Sequence, residues 1–113
     1  MAQKVTLVVP CFNEQDNVEP FMEAAIAAFA DLPEDYDVVF VNDGSKDETA
    51  ARLHALHERY PDRVSFVSFS RNFGKEAAVY AGLQHADGDF VTIIDADLQQ
   101  RPQVVVEMLR VLR

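Results

Sequence analysis

The sequence predicts an α/β fold: an open parallel sheet with helices on both faces, built as one domain over residues 1–113. Three observations carry this. Short apolar, β-rich runs alternate with segments of helical periodicity in four successive strand-then-helix units. Each apolar run passes directly into a polar cluster, and no repeat, low-complexity stretch or linker interrupts the pattern. Helical crossovers between parallel strands are right-handed as a general rule, so consecutive strand ends fall on one edge of the sheet.

The first run, Val5 to Val9, reads as a buried strand stopped by Pro10. From Asn17 onward Val18, Phe21, Met22, Ala25, Ile26 and Phe29 recur at the spacing of one helix face. Asp16 or Asn17 can cap this helix, and Pro20 is early enough to sit in its first turn. A loop over 31–35 leads to a second strand, Val38 to Val41. Ser45 and Glu48 have capping-box spacing and open a second helix running to about Tyr60, before Pro61 and Asp62. Val64 to Phe69 is the third strand. An Ala-rich helix follows Gly74 and ends near Gly88, and Phe90 to Ile94 is the fourth strand. Pro102 starts a last helix, with Val104, Val105, Met108, Leu109 and Leu112 on one face.

Composition narrows the function. The 113 residues carry 19 acidic and 10 Lys or Arg side chains, a formal charge of -9. That balance argues against nucleic acid as a partner and against docking on anionic lipid through this segment. Half the chain (49%) is hydrophobic, enough for a core, yet no apolar run nears the ~20 residues of a membrane span. One cysteine, Cys11, excludes an internal disulfide framework and a Cys-rich zinc site. The first residues lack the pattern of a secretory signal, so a cytoplasmic location is expected. His54, His57 and His85 have no metal-ligand spacing, Cys11 reads as a small packing residue, and the aromatics read as core.

In open α/β sheets ligands bind beyond the carboxyl ends of the strands, and the polar residues collect there. Asp95-Ala96-Asp97 directly follows the apolar fourth strand. Two carboxylates about 4 Å apart repel by about 4 kcal/mol at an effective dielectric of 20. A hard divalent cation removes that repulsion, and Mg²⁺ or Mn²⁺ takes one or two carboxylates plus substrate phosphates. Gln99 could add an amide oxygen; the alternative is that both aspartates cap a turn or are solvated. Asp43-Gly44-Ser45 offers a carboxylate to a base or ribose hydroxyl, or is a plain turn. Asn72, Gly74 and Lys75 suit a phosphate approaching a helix N-terminus, or Lys75 is a surface lysine.

Four segments together, VVPCFNE (Val8 to Glu14), VNDGSKDET (Val41 to Thr49), SRNFGKEAA (Ser70 to Ala78) and IIDADLQ (Ile93 to Gln99), resemble the inverting family-two glycosyltransferases. The similarity is greatest to the polyprenol-phosphate branch, with its dolichol-phosphate mannosyltransferases and bactoprenol glucosyltransferases. It covers essentially the whole chain. The resemblance implies the Rossmann-like nucleotide-binding half of a GT-A fold. It implies a nucleotide-sugar site of Pro10, Asn13, Glu14, Asp43, Ser45, Lys75 and Asp95, with Asp43 reading the base. Asp95, Asp97 and Gln99 would hold Mg²⁺ or Mn²⁺ against the diphosphate. The donor would be a UDP-hexose or GDP-mannose, and the acceptor a polyprenyl phosphate.

After Gln99 the sequence departs from the family pattern, with Gln100, Arg101, Pro102 and Gln103 where relatives continue Asp-Pro-Pro-Glu. On the resemblance, the acceptor half and its general base lie outside these residues. The expectation is an N-terminal donor-binding part, inactive alone, of a parent at the cytoplasmic face of a membrane. Apolar surface left uncovered is a candidate face for self-association. Two other classes share the small parallel sheet. A receiver-like signalling module needs an acidic pair after its first strand, where Pro10 and Cys11 stand. A nucleotidyltransferase needs a Gly-rich loop there, where Phe12, Asn13 and Glu14 stand.

Overall fold

A computed structural model describes residues 3–30, 32–97, 102, 106 and 107. The elements run β1 (Lys4–Cys11), α1 (Val18–Phe29), β2 (Asp35–Asn42), α2 (Thr49–Arg59), β3 (Val64–Ser68), α3 (Lys75–His85) and β4 (Phe90–Ile93). The strands form one parallel sheet in the order β3-β2-β1-β4. This is the expected α/β architecture.

Strand alternation divides the apolar side chains between two layers. Val5, Leu7, Val9 and Cys11 of β1, with Val38 and Phe40 of β2, face α1 and α2. The α1 stripe buries Val18, Phe21, Met22, Ala25 and Phe29 there, as its periodicity predicts. Phe21 meets Phe40 edge-on, ring centroids 6.0 Å apart. On the opposite face Val39 and Val41 of β2 pack on Ala78 of α3. Helix α3 lies so close to β1 that a Cβ on Gly82 would stand 2.3 Å from Cγ1 of Val8. Only glycine permits that approach. Pro102 and residues 106–107 are helical, and Pro102 and Val106 are buried, in keeping with the last predicted helix. Its Val104, Val105, Met108, Leu109 and Leu112 lie outside the described residues.

Several boundaries differ from expectation for identifiable reasons. Pro10 does not stop β1, which runs on to Cys11 and pairs with β2 through Pro10↔Val41 and Cys11↔Asn42. Val8 C=O accepts from Ile94 N–H (3.0 Å) on the β4 side, and Cys11 C=O accepts from Asp43 N–H (2.8 Å) on the β2 side. By the alternation of a parallel ladder Pro10 faces β4, which has ended at Ile93. Its missing N–H therefore costs β1 no bond to β2.

Strand β2 begins at Asp35, earlier than Val38, because Asp35 N–H bonds Gln3 C=O (3.0 Å). Helix α2 begins at Thr49 rather than Ser45, and no Ser45–Glu48 capping box forms. Asp47 takes the capping-like role, accepting from Thr49 N–H at 2.9 Å and from its hydroxyl. Asn17 does precede α1, but its amide donates to the Glu14 carboxylate (2.6 Å) instead of capping. The aromatics are not all core: Phe12, Phe73 and Tyr80 are exposed.

Candidate functional site

From β1 the chain builds outward to β2 and β3, then returns through α3 to place β4 on the other flank of β1. The strand order reverses there, and a crevice opens beyond the carboxyl ends of β1 and β4. A cleft of about 490 Å³ occupies this position. Pro10, Cys11, Phe12 and Glu14 form one wall, Asp43, Asn72, Gly74, Lys75 and Ala78 another, and Asp95, Ala96 and Asp97 the third.

The loops after β1 and β2 are locked by reciprocal bonds. Asn13, at φ 53°, donates its N–H to Ser45 Oγ (2.9 Å) while its Oδ1 accepts from Lys46 N–H (2.9 Å). Glu14 N–H reaches Thr49 Oγ1 (2.9 Å), Gln15 N–H reaches Asp47 (3.4 Å), and Glu48 N–H returns to Gln15 Oε1 (3.0 Å). Asp47 gains from this lock. Desolvation opposes its charge, but the bonds from the Thr49 side chain and from backbone N–H groups outweigh it and hold its carboxyl below the usual range.

Asp43 organises the opposite wall. It is 3% exposed, and its carboxylate accepts from Phe73 N–H (2.7 Å), Gly74 N–H (3.0 Å) and Asn72 Nδ2 (3.1 Å). Asn72 Nδ2 also donates to the Asp43 carbonyl (3.1 Å). Gly44, at φ 68°, lets the two loops touch: a Cβ there would fall 2.1 Å from the Arg71 carbonyl carbon. These bonds fix the start of α3, where Gly74 precedes Lys75. Lys75 Nζ pairs with Asp95 Oδ1 at 2.8 Å across the cleft.

The structure thus brings eight sequence-predicted residues to one cleft: Pro10, Glu14, Asp43, Asn72, Gly74, Lys75, Asp95 and Asp97. Asn13 and Ser45 are not on its lining; their polar atoms tie the two loops together. Gln99 lies outside the described residues. Phe12 is a lining residue that the sequence does not single out; it is 44% exposed on the cleft wall, and its place just past the end of β1 is the signal for it. Cys11 is buried; that burial, with the charge of Glu14 adding to it, pushes its thiol well above the usual value. It stays protonated and packs.

Among the described residues no group of three or more His, Cys, Asp or Glu could enclose a metal alone. The cleft instead presents two carboxylates, Asp95 and Asp97, flanking the buried Ala96. That partial all-oxygen set suits Mg²⁺ or Mn²⁺ whose shell is completed by phosphate oxygens and water. The residues present fit such an ion.

Comparison with known proteins agrees with this geometry. The sequence model of the family described as "Glycosyl transferase family 2" matches residues 6–113. The chain is 45% identical over 107 residues to a bactoprenol glucosyl transferase of Shigella phage SfV, covering 94% of this chain and 34% of that protein. It is 37% identical over 108 residues to an undecaprenyl-phosphate 4-deoxy-4-formamido-L-arabinose transferase of Sodalis glossinidius, covering 96% and 33%. Among solved structures, the mannosyltransferase PcManGT of Pyrobaculum calidifontis, in complex with GDP-Man and Mn²⁺, superposes with a TM-score of 0.74 at 33% identity. That match covers 86% of this chain and 28% of the other. The chain spans about a third of the length of the curated relatives it matches. The fold is the Rossmann-like part of the GT-A glycosyltransferases. With the family match spanning nearly every residue, the chain belongs to glycosyl transferase family 2.

Proposed function

We propose that this chain binds the nucleotide-sugar donor of a glycosyltransferase that transfers a hexose, with inversion, to a polyprenyl phosphate. The observation that carries the reading is the convergence of Asp95, Asp97, Asp43 and Lys75 on one cleft at the β1/β4 switch point. Relatives named for transfer to bactoprenol and undecaprenyl phosphate support the acceptor class.

In this reading Asp95 and Asp97 would hold Mg²⁺ or Mn²⁺ at the cleft wall they form. When bound, the cation supplies Lewis-acid stabilisation of the departing nucleoside diphosphate. Phe12 offers an aromatic face for the base at the outer wall. Asp43, through its bonds to Asn72, Phe73 and Gly74, holds the nucleoside side of the cleft in one shape. Pro10 and Glu14 line the nucleoside end, and Asn13 and Ser45 support it by locking the two loops.

Among the described lining residues the carboxylates outnumber the one ammonium, so an uncompensated diphosphate is repelled. Binding should therefore depend on a divalent cation. Calorimetric titration of UDP-glucose and GDP-mannose, with Mn²⁺ and with chelator, tests this. Heat is expected for one donor with Mn²⁺ only, and Asp97→Ala should remove the metal dependence while the thermal melt stays in place. No heat from any nucleotide, in a chain that melts cooperatively, would overturn the donor-binding reading.

A further inference from the structure

We propose that Lys75 is the internal counter-ion of the cation site: it holds Asp95 in the metal-free chain and releases it on exchange for a divalent cation, leaving its ammonium for the diphosphate. This rests on the reading of Asp95 and Asp97 given above. The direct observation is the 2.8 Å contact between Lys75 Nζ and Asp95 Oδ1, both on the wall of the cleft.

Three features make this pair exchangeable rather than structural. Both partners reach solvent, with side chains 64% and 37% exposed, and exposed ion pairs are weak. Lys75 is also the first residue of α3, where the helix macrodipole disfavours a cation. A lysine there gains nothing from its own helix, and its partner lies across the cleft. Third, the backbone beneath it is fixed. Asp43 bonds the N–H groups of Phe73 and Gly74, so the four-carbon stem can swing from an anchored base.

Charge gives the exchange its direction. Glu14, Asp43, Asp95 and Asp97 line the cleft, and Lys75 is the cation among the described lining residues. Asp95 cannot hold an ammonium and a divalent ion on the same oxygen without strong repulsion between them. Lys75 must leave, and a donor diphosphate brought to the same cleft offers its ammonium a new anionic partner. One lysine thus pairs with Asp95 while the site is empty of cation and recognises phosphate once the cation is bound.

The test is Mn²⁺ affinity without nucleotide, read from the free-ion electron paramagnetic resonance signal. Wild-type chain, Lys75→Gln, Lys75→Arg and Asp95→Asn are compared, each first checked by a thermal melt. Lys75→Gln should bind Mn²⁺ roughly three- to tenfold more tightly than wild type, because a competing cation is gone. Lys75→Arg keeps the charge and should stay within about twofold of wild type. Asp95→Asn should bind more weakly. With Mn²⁺ saturating, Lys75→Gln should also bind UDP or GDP more weakly. Equal or weaker Mn²⁺ binding by Lys75→Gln, with Asp95→Asn still impaired, overturns the counter-ion role and leaves the cation site standing. Failure of all four proteins to bind Mn²⁺ overturns the cation site and this proposal with it.

Discussion

Replacing Asp43 separates a residue that only touches ligand from one that builds the wall of the cleft. Its carboxylate is 3% exposed and accepts three hydrogen bonds from residues 72–74. A hydrogen bond to a charged group contributes about 1.5–3 kcal/mol. The three share one carboxylate and do not add in full, and water enters part of the space left by truncation. Asp43→Ala should therefore lose about 3–5 kcal/mol. Asp43→Asn keeps one acceptor oxygen but turns an NH₂ toward backbone donors, and should lose about 2–3 kcal/mol.

A domain of this length has roughly 6–17 kcal/mol of stability, so both variants should fold with melting points lowered by roughly 10–25 °C and 6–15 °C. Thermal and urea unfolding followed by far-UV circular dichroism reads this directly, without ligand. If both variants melt within about 2 °C of wild type, the wall-building role is wrong and Asp43 acts on ligand alone.

Other expectations follow from the same geometry. Gly82→Ala gains about 1 kcal/mol in helix propensity but drives a methyl into Val8, and over-packing costs about 1–3 kcal/mol. A net loss of up to about 2 kcal/mol in urea unfolding is expected, and a stabilised variant would contradict the close contact. Phe12→Ala should weaken nucleoside diphosphate binding about five- to 150-fold with an unchanged melt, since base stacking is worth about 1–3 kcal/mol; unchanged affinity removes the stacking role. Asp47, whose carboxyl is held below its usual range, contributes stability that is whole above pH ~4 and lost as pH falls through the lowered value. The gap in urea midpoint between wild type and Asp47→Asn should be largest near pH 7 and shrink as the pH falls below the ordinary Asp range. A gap that stays constant as the pH falls would count against it.

The sequence made the layers legible and left the loops obscure, for a physical reason. The stripe from Val18 to Phe29 is written in periodicity, which burial on one face imposes directly, whereas the apolar run after Asp89 leaves Val91 and Ile93 of β4 exposed, so it marks a strand without marking a buried one. The place of Asp95 and Asp97 on the cleft is legible because they stand immediately past a strand. The Ser45–Glu48 spacing misled because capping is decided by partners distant in sequence: Ser45 Oγ is taken by the N–H of Asn13, 32 residues away. Asp43 read as a ligand contact because nothing local says that Phe73 and Gly74 point their N–H groups at it. Nothing local to Phe12 distinguishes its exposed ring from buried ones such as Phe21 and Phe40.

Pro10 has an effect beyond being tolerated within β1. In a parallel ladder the residue after next would return the bond that Val8 receives from Ile94, so an N–H at position 10 would reach the Ile94 carbonyl. Proline has none to give. The hydrogen-bonded seam between β1 and β4 unfastens there, one residue short of Asp95, and the chain is released to turn across the sheet's edge. A single absent proton thus marks where structure stops and the cleft starts.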